Sequence, residues 1–198
     1  MTIYALGDLI PVIDPTAFVH PEACLIGDVQ IGPGCYVGPF ASLRGDFGRI
    51  VMEEGSNIQD SCTVHCFPDI DVIVAVDGHV GHGAILHGCK VGRNALIGMN
   101  SVIMDNAVIG QDAFVAANSF VKANAVIPER ALVAGSPARE LRKLTDQEIA
   151  WKIKGTREYQ QLARICLTGL RIVEPLTRPQ ADRPRSTIGQ VTTLDKSR

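Results

Sequence analysis

Three of the five histidines stand in an arrangement that chemistry can use: His65 in VHCFP, and His82 and His87 in VGHGAILHGC. Three imidazoles around one cation, with a fourth position open, make the layout of a catalytic zinc site. His65 and His87 are 22 residues apart. In a chain wound in coils of eighteen residues, that separation is one coil plus a four-residue insertion, so the two rings stack on one face. His82 precedes His87 by five, nearly one side of a coil, and points elsewhere. A symmetric trimer resolves this: His65 and His87 of one subunit would meet His82 of the next. Spacing alone leaves a shared metal and separate surface histidines both open. His20 and His79 are read as ordinary surface or corner histidines with a satisfied hydrogen bond.

The coil that must position these rings is written in a repeat. Aliphatic residues fall every sixth position at Val91, Ile97, Ile103, Ile109, Val115, Val121, Ile127 and Val133. An earlier run holds Val19, Leu25, Ile31, Val37 and Leu43, and a third Met52, Ile58 and Val64. Between Leu43 and Met52 the step is nine, which predicts a three-residue bulge. Another break lies between His65 and Val80, and near residues 80–91 either 80/86 or 79/85 can be the inward set. A period of six suits neither an amphipathic helix nor an alternating strand. It suits a flat side and a corner, three sides closing one triangular coil, with the sixth residues stacked inside and parallel backbone bonds between coils. The fold expected is mainly β, a parallel β-helix of hexapeptide repeats over 10–143. Thr145 and Glu148 form a capping-box signature ahead of a C-terminal α-helix, assigned to 145–172, with Gly155 and Gly169 weakening it. Such a helix has a use in covering the exposed strand edges at a β-helix end. From Pro175 the sequence is polar and Pro-rich, an extended tail over 175–198, ordered only where it lies on another surface.

Composition narrows the function classes. Hydrophobic residues make up 46% and charged residues 20%, which excludes a disordered chain. A net charge of −2 gives no electrostatic basis for nucleic-acid binding. No apolar run reaches the roughly 18 residues of a membrane helix. The first residues lack a secretion signal, and the six cysteines lack the density of a disulfide scaffold, so a cytoplasmic protein with reduced thiols is expected.

The stretches ASLRGDFGRIVMEEGSNIQDSCTVH and GHVGHGAILHGCKVGRNALIGMNSVIMD resemble gamma-class carbonic anhydrases and their relatives, over about residue 10 to beyond 170. GDFGRIV, the Phe-Pro after His65, GSPAREL and WKIKGTREYQ followed by VEPL look most like the phenylacetic acid degradation (PaaY) subfamily, with the carnitine-associated (CaiE) subfamily second. The resemblance implies a left-handed coil and a homotrimer with a divalent metal, zinc or else iron or cobalt, at each subunit interface. It makes His65, His82 and His87 the ligands. Arg44 and Asp46 match its R-G-D pair near the subunit contact. Gln59 and Asp60 match N-I-Q-D, where the Gln would orient a metal-bound hydroxide and the Asp hold Arg44 or another outer group. Asn57 reads as a corner residue. Tyr159 on the helix would approach the metal pocket, or simply pack.

The acidic loop carrying the family's proton-shuttling Glu is absent, and Cys66 replaces the usual Gly after the first ligand. The resemblance to the phenylacetic acid degradation subfamily implies, as the main expectation, a metal-dependent thioesterase acting on aromatic-ring-derived acyl-CoA intermediates of phenylacetate catabolism. Its metal-bound hydroxide would attack the thioester. Alternatives are a weak carbonic anhydrase taking CO2 and bicarbonate, a CaiE-like role in carnitine metabolism, a hexapeptide acyltransferase using CoA donors, or a non-catalytic trimeric scaffold.

Overall fold

A computed structural model describes residues 2–189 and 191–192. The chain winds a left-handed triangular β-solenoid followed by one α-helix, Asp146–Gly169. One 12-stranded sheet wraps two sides of the prism and an 8-stranded sheet makes the third. Pairing between coils is parallel, as in Leu96–Ile97 on His79–Val80 and Val102–Ile103 on Ile85–His87. Every member of the three aliphatic runs is buried, and together they fill one continuous core with small residues such as Ala95 and Ala113 between them. The doubtful phase is settled in favour of Val80 and Leu86, both fully buried, whereas Ile85 is exposed.

The irregularities of the repeat are where the site is made. Leu86 pairs with both Val64 and Ile103, so one coil is four residues longer than eighteen and the next is one shorter. The long coil accommodates residues 67–71 outside the prism. The strand Ser42–Met52 bulges at residues 46–49, where its pairing with Cys24–Ile31 shifts register. Corners between sides take left-handed backbone, and Asn100, Asn106, Asn118 and Asn124 occupy them at φ near 57°. Asn tolerates that region better than other side chains bearing a Cβ. Asn57 is not among these corner residues. It is fully buried on the short strand Asn57–Ile58.

The helix begins with the capping box that the sequence predicts: Thr145 Oγ1 accepts from Glu148 N, and Glu148 accepts from Thr145 N. It runs unbroken through Gly155. Its position differs from expectation. It lies along the outer face of the 8-stranded sheet rather than across an end, packing Ile149 on Phe114 and Ala163 on Phe18 and Tyr36. A helix laid along three or more coils buries a whole stripe of side chains, where an end would bury only a few. In the tail, Val191 N donates to Glu158 and Trp151 Nε1 to Thr192 O, so its last described residues rest on this helix.

Lys152, 2% exposed, pins the helix by donating to the Asp77 carbonyl and to Asn94 Oδ1, both at coil corners. Burial is the main influence on its amine and brings the pKa down to about 7 despite the nearby Asp77 and Asp112 carboxylates. The unfolded chain therefore holds this proton to higher pH than the folded one, so stability should rise with pH above about 7. Urea midpoints of the wild type should climb between pH 7 and 9. Those of Lys152→Met should stay level over that window, and an equal slope in both would refute the assignment.

Candidate functional site

The two irregular coils bring four side chains into a line on one outward face. His65 ends the strand Thr63–His65 and His87 ends Ile85–His87, paired residue for residue. His65 Nδ1 lies 3.2 Å from His87 Nε2, with the rings edge to face. His65 Nε2 is 2.9 Å from Asp46 Oδ1, on the bulge. His87 Nδ1 is 2.6 Å from Asp105 Oδ1. Arg44, two residues before Asp46 on the same strand, pairs with the other Asp46 oxygen. Partial burial works against the Asp46 carboxylate, but the hydrogen bonds from Arg44 and His65 and the Arg44 charge outweigh it and hold the carboxyl below its usual range. Phe47 packs on the His65 ring and Phe67 on the His87 ring, and both phenylalanines remain 54% exposed.

Asp46, His65, His87 and Asp105 thus make three contacts in a row. All four ring nitrogens are thereby engaged.

His82 stands apart, at a corner. Its Nδ1 pairs with the Asp60 carboxylate on the coil before it, and its side chain is 45% exposed. Gln59, the neighbour of Asp60, is buried and turned to the other side of its corner. Its Nε2 donates to Asn57 Oδ1 at 3.1 Å and lies 2.7 Å from His79 Nε2. Tyr159 comes down from the helix onto Tyr36 and His79, with ring centroids 5.3 and 5.2 Å away, and burial pushes its phenol well above the ordinary range. Of the predicted site residues, the structure thus gathers Arg44, Asp46, His65 and His87. It pairs His82 with Asp60 separately, and places Gln59 under the helix, against the His79 ring that the helix residue Tyr159 also covers.

The metal expectation is corrected by this geometry. Among the described residues no group of three or more His, Cys, Asp or Glu is disposed to hold an ion. The reason is local: both nitrogens of His65 and of His87 face partners, and His82 faces Asp60. Within one chain, then, the residues present offer no three-ligand site for zinc, iron or cobalt.

Sequence reading passed over Asp105, Phe47, Phe67 and the true setting of His79. Asp105 carried a usable signal, because it follows His87 by 18 residues, the length of a regular coil. The two phenylalanines lie in insertions, where the repeat gives no position. No described helix is long and apolar enough to cross a membrane.

Comparison with known proteins agrees on architecture and shifts the chemistry. A family profile described as "Bacterial transferase hexapeptide (six repeats)" matches residues 88–123. The carnitine operon protein CaiE of Salmonella typhimurium is 60% identical over 185 residues, 93% of each chain. A solved Bacillus cereus structure, provisionally described as an acetyltransferase, is 33% identical with a TM-score of 0.83, over 84% of this chain and 97% of the other. A hexapeptide transferase family protein from Anaplasma phagocytophilum is 36% identical with a TM-score of 0.79, over 82% and 96%. The subfamily expectation is corrected to the carnitine-associated group rather than the phenylacetic acid degradation group. The hydrolase expectation is set aside with it, since the two solved structures are described as transferases and no metal-binding cluster is found among the described residues.

Proposed function

We propose, from the premise that the chain belongs to the CaiE family of hexapeptide-repeat proteins, that it is a cytoplasmic acyltransferase taking an acyl group from a CoA thioester. The names of its relatives point to carnitine chemistry, and carnitine offers a hydroxyl as acyl acceptor.

One observation carries this reading: the His82–Asp60 pair. Asp60 takes the Nδ1 side of the ring. The carboxylate fixes the tautomer with the proton on Nδ1, which leaves Nε2 as a lone-pair acceptor on a ring that solvent reaches. That is the equipment of a general base. The acceptor hydroxyl gives its proton to His82 Nε2 as its oxygen attacks the thioester carbonyl. On collapse of the tetrahedral adduct the C–S bond breaks, and the proton passes from Nε2 to the departing thiolate. Asp60 is a positioning residue, since it acts on substrate through His82.

The same reading takes the protein as a homotrimer. Phe47, Phe67 and Ile85, all 41% exposed or more, stand on the His65–His87 side of the prism. Side-by-side association would cover them and close a cleft between this face and the corner bearing His82 of a neighbour. The Asp46–His65–His87–Asp105 line then forms the polar wall of that cleft.

The test is release of free CoA thiol from acetyl-CoA and short-chain acyl-CoA donors, with and without L-carnitine. Thiol release that requires the acceptor, with acylcarnitine formed in equal amount, is the expected result. Equal release without the acceptor, or no turnover of any donor, would sink the reading. Sedimentation should give a mass of three chains or a multiple of three.

A further inference from the structure

The two ends of the solenoid are finished differently. At the C-terminal end, the strand Ala138–Lys143 folds back antiparallel on Ala131–Gly135 and reads ARELRK, a charged edge of the kind that resists further pairing. The N-terminal end has no such strand. Among the described residues, Thr2–Tyr4 and Val12–Ile13 pair only with Cys24–Ile31, and Phe18–Val19 pairs only with Tyr36–Val37. All three sides of the prism therefore stop there on an open backbone edge. The residues on that end are apolar and out in solvent: Ile3, Tyr4, Leu6, Leu9, Ile10 and Val12 are 39–66% exposed.

A second bare apolar segment leaves the molecule at the same end. The helix finishes against Phe18 and Tyr36, in the first coils, and the chain continues without regular structure. Leu170, Val173 and Leu176 are 50–62% exposed there, and Ile172 is 103% exposed. Ile and Val are strand formers, and an extended segment of them beside an open sheet edge is suited to pairing.

We infer that a second copy of this chain covers the N-terminal end, two solenoids meeting end to end with segment 170–176 of each laid on the open coil of the other. The contact is isologous, so it closes as a pair and does not propagate. At on the order of 80 Å² for each half-exposed large side chain, the ten residues offer roughly 800 Å² per copy, the share each partner gives to a stable interface. The contact is independent of the lateral trimer proposed above. Subunits joined by their sides keep their N-terminal ends free, so end pairing doubles whatever the sides build.

Sedimentation velocity at micromolar concentration tests it, on the full chain and three double or single variants. The wild type should have twice the mass of Ile172→Asp/Val173→Asp, and twice that of Leu9→Asp/Ile10→Asp. Val126→Asp, at a residue 72% exposed near the opposite end, should keep the wild-type mass. The arm variant touches a side chain with no cover in the single chain, so it keeps the test valid even if the Leu9/Ile10 variant fails to fold. A wild type of one or three chains, or an arm variant of unchanged mass, would overturn the inference. So would flotation of the wild type with phosphatidylcholine vesicles at unchanged mass, which would assign this end to lipid.

Discussion

His82→Ala is expected to lower kcat/KM for acyl transfer by about 10²–10⁴-fold, the usual worth of a positioned general base. The ring is nearly half exposed and outside the core, so the variant should keep the wild-type circular dichroism and mass. Asp60→Asn should lower kcat by less and leave the donor KM unchanged, because an amide still occupies the place beside Nδ1 but no longer fixes which nitrogen carries the proton. The contrast between the two variants is the informative quantity. If His82→Ala retains the wild-type rate with carnitine, the base is elsewhere, and the His65–His87 line becomes the group to test.

Acid is expected to weaken the attachment of the helix through His79. Part of this residue's surface is accessible, but its ring is enclosed. Nε2 faces Gln59, Nδ1 faces Thr156 and Asn57, and Tyr159 covers one side. Burial, with smaller contributions from the Lys152 and His82 charges, brings its pKa down to about 3, against 6.5 when unfolded. Below pH 6.5 the unfolded chain takes up a proton that the folded chain refuses, so stability is fully present above 6.5 and is lost as pH falls toward 3. Between pH 6.5 and 4.5 the loss should be about 2 kcal/mol, a little under two full pH units because the unfolded imidazole is already half protonated at 6.5. Trp151, the single tryptophan, sits on the helix and reports its release. Urea titrations followed by its fluorescence should show the wild-type midpoint falling over that window while His79→Gln holds nearly constant. Parallel curves would mean that His79 is not the group responsible.

Lys152 and His79 act through the same interface from opposite ends of the pH scale. Each is a base whose proton is held less tightly because it is buried between the helix and the sheet, and both make the folded chain less willing to bind protons than the unfolded one. Together they predict that the helix is held most firmly on the alkaline side of neutrality, until the thiols of Cys62 and Cys89 begin to titrate in the unfolded chain; burial pushes these up to about 11 and 12 in the folded state.

Particular residues show why some of this was readable in advance and some was not. The aliphatic sixth positions specify the prism, because an interior only one side chain deep stacks them directly on their equivalents one coil away. The pairing of His65 with His87 follows from counting coils. The phase near residue 80 was ambiguous because Val80/Leu86 and His79/Ile85 both supply an apolar member. The neighbouring coils decide it, since Val80 must stack between Ile58 and Ile97. Gln59 and Asp60 are consecutive, yet a corner between them sends one under the helix and the other out to His82.

By itself, then, the order of amino acids determined the triangular coil, the sites of its insertions, the capped helix at its end and the stacking of two imidazoles. Those follow from period, turn chemistry and burial, which are local or strictly repeating. Tertiary structure alone decided which outward face the helix covers, and hence that Gln59 and His79 lie beneath it, with its Tyr159 on the His79 ring. It also decided that the nitrogens of His65 and His87 are taken by Asp46, Asp105 and each other, while His82 turns to Asp60. A hexapeptide repeat says whether a side chain points in or out. It is silent on what meets an outward side chain, because that partner comes from another coil, the helix or another subunit, at separations that the repeat does not encode.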